Sequence, residues 1–272
     1  MKVAPLPANE ALRLEQLKRY EILDTAPEAE FDEAAIVAAA ICHTPIAIVG
    51  LIDAGRQWYK AKVGVEATEV PREETFCQYA LLDAKVMEVP DARKDPRFAD
   101  APAVTAAMGV RFYASAPLLD ESGVALGTLC VVDHKPKELT AEQRQALEAL
   151  ARLVVAHMRL RIAHKTLAAV AGEVQALGGT ASRERQDLVN HISHELRTPL
   201  TPMMLQLHVL RASVKDDDAG RRSLEALERN LARLNEAVGH VLAFTSSGQA
   251  VQQTAHDKDR RLAAGAAGPG QG

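Results

Sequence analysis

The spacing of apolar residues between positions 224 and 241 limits the possible folds of this chain more than any other feature. Successive members are separated by 3, 4, 3, 4 and 3 positions: Leu224, Leu227, Leu231, Leu234, Val238 and Val241. A heptad stripe of this kind needs a partner helix, because one helix cannot bury its own seam. The preceding segment offers a partner stripe with spacings of three or four: Leu188, Ile192, Leu196, Leu200, Met203, Leu207 and Leu210.

The residues between the two stripes predict an antiparallel helical hairpin over 183–246. They read VKDDDAG, a charged stretch that suits a loop. Two helices bury too little apolar surface to be stable alone. We therefore expect an all-α hairpin that forms a homodimer, as a four-helix bundle.

The first of these helices contains the string HISHELRTPL, residues 191–200. At about 100° per residue, His194 lies about 200° from both Ile192 and Leu196 and should face solvent. Its neighbours include a carboxylate that can orient the imidazole or take its proton, a guanidinium, a hydroxyl that can position water, and a proline that weakens the helix. They are Glu195, Arg197, Thr198 and Pro199.

Two simpler interpretations of His194 compete with a chemical one. A single histidine on a helix surface is more often a solvated residue than a reactive centre. His191 and His194 together suggest a metal pair, but the sequence offers no third ligand, so we predict no metal site.

The eight residues Ser193–Leu200 resemble the H-box of sensor histidine kinases, whose pattern is Ser-His-Glu-Leu-Arg-Thr-Pro-Leu. The resemblance implies that His194 is the phosphoacceptor and that Glu195 is its acidic partner. It also implies that Thr198 assists dephosphorylation of a partner response regulator. Arg197 is then a phosphate contact, and Pro199 the site of a helix bend.

The rest of the chain divides into four further regions. We predict an N-terminal helical segment at 1–27, a mixed α+β domain at 28–160, a signalling helix at 161–182 and a disordered tail at 247–272. In the mixed domain, VRFYASAPLL and VALGTLCVVD flank the turn-forming DESG and predict an antiparallel hairpin. Thr140 and Gln143 form a capping box at the start of a long helix, which Gly178 and Gly179 interrupt.

The mixed domain resembles a GAF domain. The resemblance rests on the order of the predicted helices and strands and on sequence segments such as LIDAGRQWYKAKVG, REETFCQYAL and GTLCVVD. It implies an antiparallel sheet of six strands flanked by helices, used to sense a small molecule or a redox signal. Trp58, Cys77 and Phe112 are candidate ligand-binding residues, although each is equally suited to a core. No cyclic-nucleotide signature and no bilin or haem anchor is visible, so the ligand stays unknown.

Bulk composition and chain length set the remaining expectations. A net charge of −4 gives no reason to expect nucleic acid or an anionic membrane as partner. No signal peptide and no apolar run of roughly 18 residues is present. Three scattered cysteines favour a reducing compartment. We therefore predict a cytoplasmic protein.

The histidine-kinase resemblance leaves the phosphate source open. Only 26 residues follow Ser246, and none resembles an ATP-binding domain. We expect no cofactor in this chain and no autokinase activity in isolation, with ATP and Mg²⁺ acting only through a kinase domain supplied in trans. Three hypotheses follow: a phosphorelay protein with a response-regulator receiver domain as partner, a non-enzymatic GAF module that modulates intact histidine kinases, or a ligand-binding protein whose hairpin only dimerises it.

Overall fold

The computed structural model describes residues 1–176, 218, 220–229 and 232. The helices are α1 (Glu10–Arg19), α2 (Ala29–Cys42), α3 (Cys77–Ala80), α4 (Pro102–Thr105) and α5 (Ala141–Ala176). The strands are β1 (Ile46–Ile52), β2 (Arg56–Val63), β3 (Glu69–Pro71), β4 (Met87–Val89), β5 (Phe112–Leu119) and β6 (Ala125–Asp133). A 3₁₀ turn at Arg72–Glu74 follows β3.

The strands form one antiparallel sheet in the order β3-β2-β1-β6-β5-β4. Every residue of the central strands β1 and β6 is buried, which accounts for their nearly continuous apolar sequences. The predicted α+β fold, a six-stranded antiparallel sheet with helices, is confirmed for the mixed domain.

The hairpin predicted around DESG is also confirmed, since it joins β5 to β6. The carboxylate of Asp120 accepts hydrogen bonds from the backbone N–H of Ser122 at 2.9 Å and of Val124 at 2.8 Å. Gly123 has a φ of 75°, a conformation that favours glycine. Local turn chemistry therefore fixes the register of these two strands.

Helix α2 covers one face of the sheet, where it packs against β1, β2 and β6. Its sequence, AEFDEAAIVAAAIC, is rich in alanine, and small side chains let a helix lie close to a sheet. Phe31 is the largest buried side chain of α2. We call this side of the sheet the helix face.

Helix α5 starts at the predicted capping box. The Gln143 N–H donates to Thr140 Oγ1 at 3.2 Å, and the Thr140 N–H donates to Gln143 Oε1 at 3.0 Å. The Gln143 side chain also donates to the Ile41 carbonyl of α2 at 2.8 Å, which ties the start of α5 to the sheet-covering helix. Gly178 and Gly179 lie outside the described residues.

Helix α1 is attached to the sheet by a buried arginine. Arg13, only 1% exposed, donates to the Ile52 carbonyl at the end of β1 and pairs with Glu10 at 2.7 Å. Glu10 also pairs with Arg72 of the 3₁₀ turn. One carboxylate thus joins α1 to the segment that leads into α3.

Candidate functional site

A small cavity lies on the face of the sheet opposite α2, which we call the cavity face. Its volume is about 120 Å³. Strands β1, β2, β5 and β6 supply its floor, and segments around positions 65–77 and 103–110 supply its walls. Ala67, Glu74 and Met108 belong to its lining and are exposed, so they form its mouth.

Cys77 makes several hydrogen bonds in this cavity, through both its sulfur and its backbone N–H. Its sulfur accepts hydrogen bonds from Gln57 Nε2 at 3.1 Å and from the Tyr113 hydroxyl at 3.0 Å. Its backbone N–H donates to Thr75 Oγ1 at 3.2 Å, and the Thr75 hydroxyl donates to Gln57 Oε1. The short sequence from Thr75 to Cys77 therefore places the thiol at the start of α3 and orients the amide that contacts it.

Gly50 makes room for that amide. A methyl group added at Gly50 would lie 2.1 Å from Gln57 Nε2. The Gln57 side chain therefore crosses directly over the bare backbone of β1 on its way to Cys77. A glycine in a central strand is costly for strand stability, and here the close approach explains it.

Cys130 of β6 is the second thiol of the cavity. Burial by itself would raise the pKa of Cys77, but hydrogen bonds from Cys130 and the surrounding hydroxyl groups outweigh it and lower that pKa. The pKa of Cys130 moves the opposite way: its hydrogen bond to Cys77, burial and the charge that Cys77 acquires all raise it. The surroundings therefore place the pKa of Cys77 below that of Cys130.

Cys42, the third cysteine, has an ordinary environment for a buried thiol. It lies at the end of α2 and does not line the cavity. Burial raises its pKa to about 12. All three cysteines are free.

The sequence-predicted ligand-binding residues divide between the two faces. Cys77 lines the cavity, whereas Trp58 and Phe112 are not among its lining residues. Side chains alternate along a strand, so the cavity receives Gln57 and Tyr59 from β2 and not Trp58. The same alternation on β5 turns Tyr113 toward the cavity, and Phe112, 0% exposed, toward the opposite side.

Gln57 and Cys130 were not among the predicted site residues. Neither residue stands out in the sequence, because a glutamine on a strand is usually solvated and a single cysteine in an apolar strand is usually inert. The position of Cys130 in the predicted β5–β6 hairpin is the one feature that could have indicated its role. Cys130 pairs across the strands with Ser115, two residues from Tyr113 and on the same face of β5.

A buried charge network lies on the helix face. The Lys60 side chain is 0% exposed, and its ammonium donates to Glu28 at 2.6 Å, to the Ala26 carbonyl at 2.7 Å and to Thr25 Oγ1 at 2.9 Å. Arg161 of α5 contacts the same Glu28 oxygen at 2.9 Å. This network connects β2 to α5 through the residue that precedes α2.

The residues predicted to carry phosphate chemistry lie outside the described residues. They are His194, Glu195, Arg197, Thr198 and Pro199. The described residues 220–229 are helical and fall within the predicted second helix of the hairpin. In the described part of the chain, no cluster of three or more potential metal ligands occurs, and no helix combines the length and apolar character of a membrane span.

Two family models match this chain. Residues 25–158 match the GAF domain, and residues 184–250 match the His Kinase A (phospho-acceptor) domain. The chain is thus a GAF-domain protein with a histidine-kinase phosphoacceptor domain. By this domain content it is a signal-transduction protein of the sensor-kinase type.

A curated protein that is similar to part of this chain is an enzyme that acts on cyclic di-GMP. A cyclic di-GMP phosphodiesterase of Pseudomonas aeruginosa is 40% identical over 159 residues, which is 58% of this chain and 27% of that protein. The chain therefore spans about a quarter of that relative.

Two solved GAF domains are similar to parts of the chain. The domain from the blue-light-absorbing form of PixJ of Thermosynechococcus elongatus is 16% identical with a TM-score of 0.42, over 61% of this chain and 96% of that one. The domain of an Acinetobacter phosphoenolpyruvate-protein phosphotransferase is 17% identical with a TM-score of 0.39, over 58% and 97% respectively.

Proposed function

We propose that this protein is a cytoplasmic phosphorelay component in which the GAF domain controls phosphorylation of His194. The phosphoryl group then passes to an aspartate of a response-regulator receiver domain. The observation that carries this proposal is the unbroken string Ser193–Leu200 inside the matched phosphoacceptor domain. A small molecule or a redox change at the GAF domain would be the signal.

Each residue of the string has a chemical role in this proposal. The His194 imidazole attacks the γ-phosphoryl group, and Glu195 orients the ring and accepts the proton that it loses. Arg197 contacts phosphoryl oxygens. Thr198 holds the water that dephosphorylates the response regulator. Pro199 has no N–H, so the Glu195 carbonyl lacks its helical partner and the helix can bend there.

The proposal also specifies partners. The phosphoacceptor hairpin forms a homodimer, because its heptad stripes need further helices to cover them. ATP and Mg²⁺ act on His194 through an ATP-binding kinase domain, which the test supplies as a separate protein. Sedimentation at micromolar concentration checks the dimer, and a strictly monomeric species contradicts it.

Phosphotransfer tests the proposal directly. The full chain, mixed with a histidine-kinase ATP-binding domain and labelled ATP, should acquire label that is stable to alkali and labile to acid. His194→Gln should abolish the label. His191→Gln is the matched control, since it removes a neighbouring histidine of the same helix and should leave the label unchanged.

The alternative outcome identifies a different class of protein. Several donor domains that phosphorylate their own hairpins but leave this chain unlabelled contradict the phosphorelay proposal. That result favours a non-enzymatic GAF module that modulates intact histidine kinases by pairing with them.

A further inference from the structure

Two cysteines that are distant in sequence meet at the cavity. Cys77 begins α3, Cys130 lies within β6, and both side chains line the same space of about 120 Å³. Each thiol also shifts the pKa of the other, as expected for two groups that line one small cavity. Two free thiols that lie close together are the reactants from which a disulfide forms.

The surroundings of Cys77 favour its thiolate form. Gln57 Nε2 and the Tyr113 hydroxyl both donate hydrogen bonds to the sulfur, at 3.1 and 3.0 Å. The thiolate is the nucleophilic form of cysteine, whereas a buried thiol without such donors is inert. Cys42 provides that inert comparison within the same chain, because burial raises its pKa to about 12.

The cavity has space for a small polar reactant. Its lining is mostly apolar, and its polar members include Gln57 and Tyr113, which contact the Cys77 sulfur. Exposed residues form its mouth, which gives a small solute a route to the thiols. An apolar cavity of about 150 Å³ accommodates benzene. This one therefore suits hydrogen peroxide or a small alkyl hydroperoxide, and is too small for a nucleotide or haem.

We propose that Cys77 and Cys130 form a hydroperoxide-reactive dithiol in the cavity of the GAF domain. The Cys77 thiolate attacks one peroxide oxygen and the O–O bond breaks. Cys77 becomes a sulfenic acid, and the departing oxygen leaves as an alcohol, or as water, with the proton that Cys77 gave up. The Cys130 thiol then attacks the Cys77 sulfur, the S–O bond breaks, and water leaves. Two thiols and one hydroperoxide thus give one disulfide, one alcohol or water, and one further water.

The thiol chemistry concerns the GAF domain alone. Its role as the signal that controls His194 rests on the proposed function. A thiol measurement and a phosphotransfer measurement on the same sample therefore separate the two ideas.

The test treats the reduced full chain with hydrogen peroxide, blocks the remaining thiols with an alkylating agent, and maps the cysteines by peptide mass spectrometry. We expect a Cys77–Cys130 disulfide, with Cys77 lost at least about tenfold faster than Cys42. Cys42→Ser is the matched control and should leave disulfide formation unchanged. Cys130→Ser should instead accumulate a sulfenic acid at Cys77 that dimedone traps.

Equal oxidation rates at Cys77 and Cys42, or oxidation of Cys77 without a bond to Cys130 in the wild-type chain, overturn the inference. Both results come from the unmutated protein, so they stand even where a variant fails to fold. If the disulfide forms and His194 is labelled equally in the reduced and oxidised protein, the result supports the reactive dithiol. The same result contradicts its role in controlling phosphorylation of His194. If His194 is never labelled while the disulfide forms, only the proposed function fails.

Discussion

The two faces of the GAF sheet treat buried polar groups in opposite ways. On the helix face, the fully buried Lys60 ammonium is surrounded by a carboxylate, a carbonyl and a hydroxyl. On the cavity face, the Cys77 sulfur accepts two hydrogen bonds and borders open space. The Lys60 ammonium is therefore enclosed by groups of the protein itself, whereas the cavity beside Cys77 has room for a further small molecule.

The difference follows from the chemistry of the groups. An ammonium removed from water costs several kcal/mol unless it is paired and hydrogen-bonded, so a folded chain must supply all of its acceptors. A thiol or a hydroxyl is neutral, so its burial costs less free energy. The protein can therefore keep such a group beside a cavity without supplying every partner. The enclosed ammonium here has a structural role, and the neutral thiols beside the cavity are available for the chemistry proposed above.

The largest effect should come from Phe112 on the helix face. Phe112→Ala removes a fully buried ring and should lower the free energy of unfolding by about 4 kcal/mol. Urea denaturation measures this change. The rate of Cys77 alkylation in the folded variant should equal that of the wild type, because Phe112 does not line the cavity. Slower alkylation of Cys77 would mean that the two faces are not separate.

Glu28→Ala should have the next largest effect. It takes the carboxylate from the buried Lys60 and from Arg161, and should cost about 3 kcal/mol by the same denaturation assay. The double variant Glu28→Ala with Lys60→Met removes the unpaired charge and should recover part of the loss. A double variant less stable than Glu28→Ala contradicts the view that the unpaired ammonium is the cause.

Glu10 makes stability depend on pH. Partial burial by itself would raise its pKa, but Arg13 and Arg72 outweigh it and lower the pKa from 4.5 to about 2. Ionised Glu10 therefore contributes fully to the free energy of unfolding above pH 4.5, and this contribution is lost as the pH falls through about 2. Because Glu10 is partly exposed, we expect the contribution to be about 2 kcal/mol. The difference in stability between wild type and Glu10→Gln should shrink from pH 5 to pH 2; a constant difference contradicts the assignment.

Gly50→Ala should have the smallest effect on stability and a clear one on reactivity. The added methyl would lie 2.1 Å from Gln57 Nε2, so the flexible amide must move away from Cys77. We expect a cost of about 1 kcal/mol and slower alkylation of Cys77. Gly55→Ala is the control, because an added methyl there meets no atom within 4 Å. Unchanged alkylation in Gly50→Ala would show that Gln57 does not activate the thiol.

Local patterns in the sequence were sufficient for much of the fold. The DESG turn and the Thr140–Gln143 capping box were both predicted, since each depends on residues within a few positions of one another. The sequence did not show whether Phe112 or Tyr113 faces the cavity. Both are aromatic, and both are buried. Because both faces of these strands are covered, no alternation of polar and apolar residues shows which side faces the cavity.

The site depends on contacts that span the chain. Cys77 was a candidate, but its meeting with Cys130 requires the order of the strands and the placement of α3 over β6. The H-box was recognised from eight consecutive residues, and its geometry lies outside the described part of the chain. Short-range chemistry is therefore readable from sequence, while the pairing of distant reactive groups needs the structure.

The register between β1 and β2 shifts at Val49/Gly50, so that Lys60 is the extra residue of β2 between Tyr59 and Ala61. This irregularity restricts which changes of length the strand tolerates. Inserting or deleting one residue between Gln57 and Lys60 would turn one of these two side chains to the other side of β2. Either the amide would leave Cys77 or the ammonium would leave Glu28. Relatives of this domain should therefore vary in length in the exposed loop at 66–68, while the number of residues from Gln57 to Lys60 stays fixed.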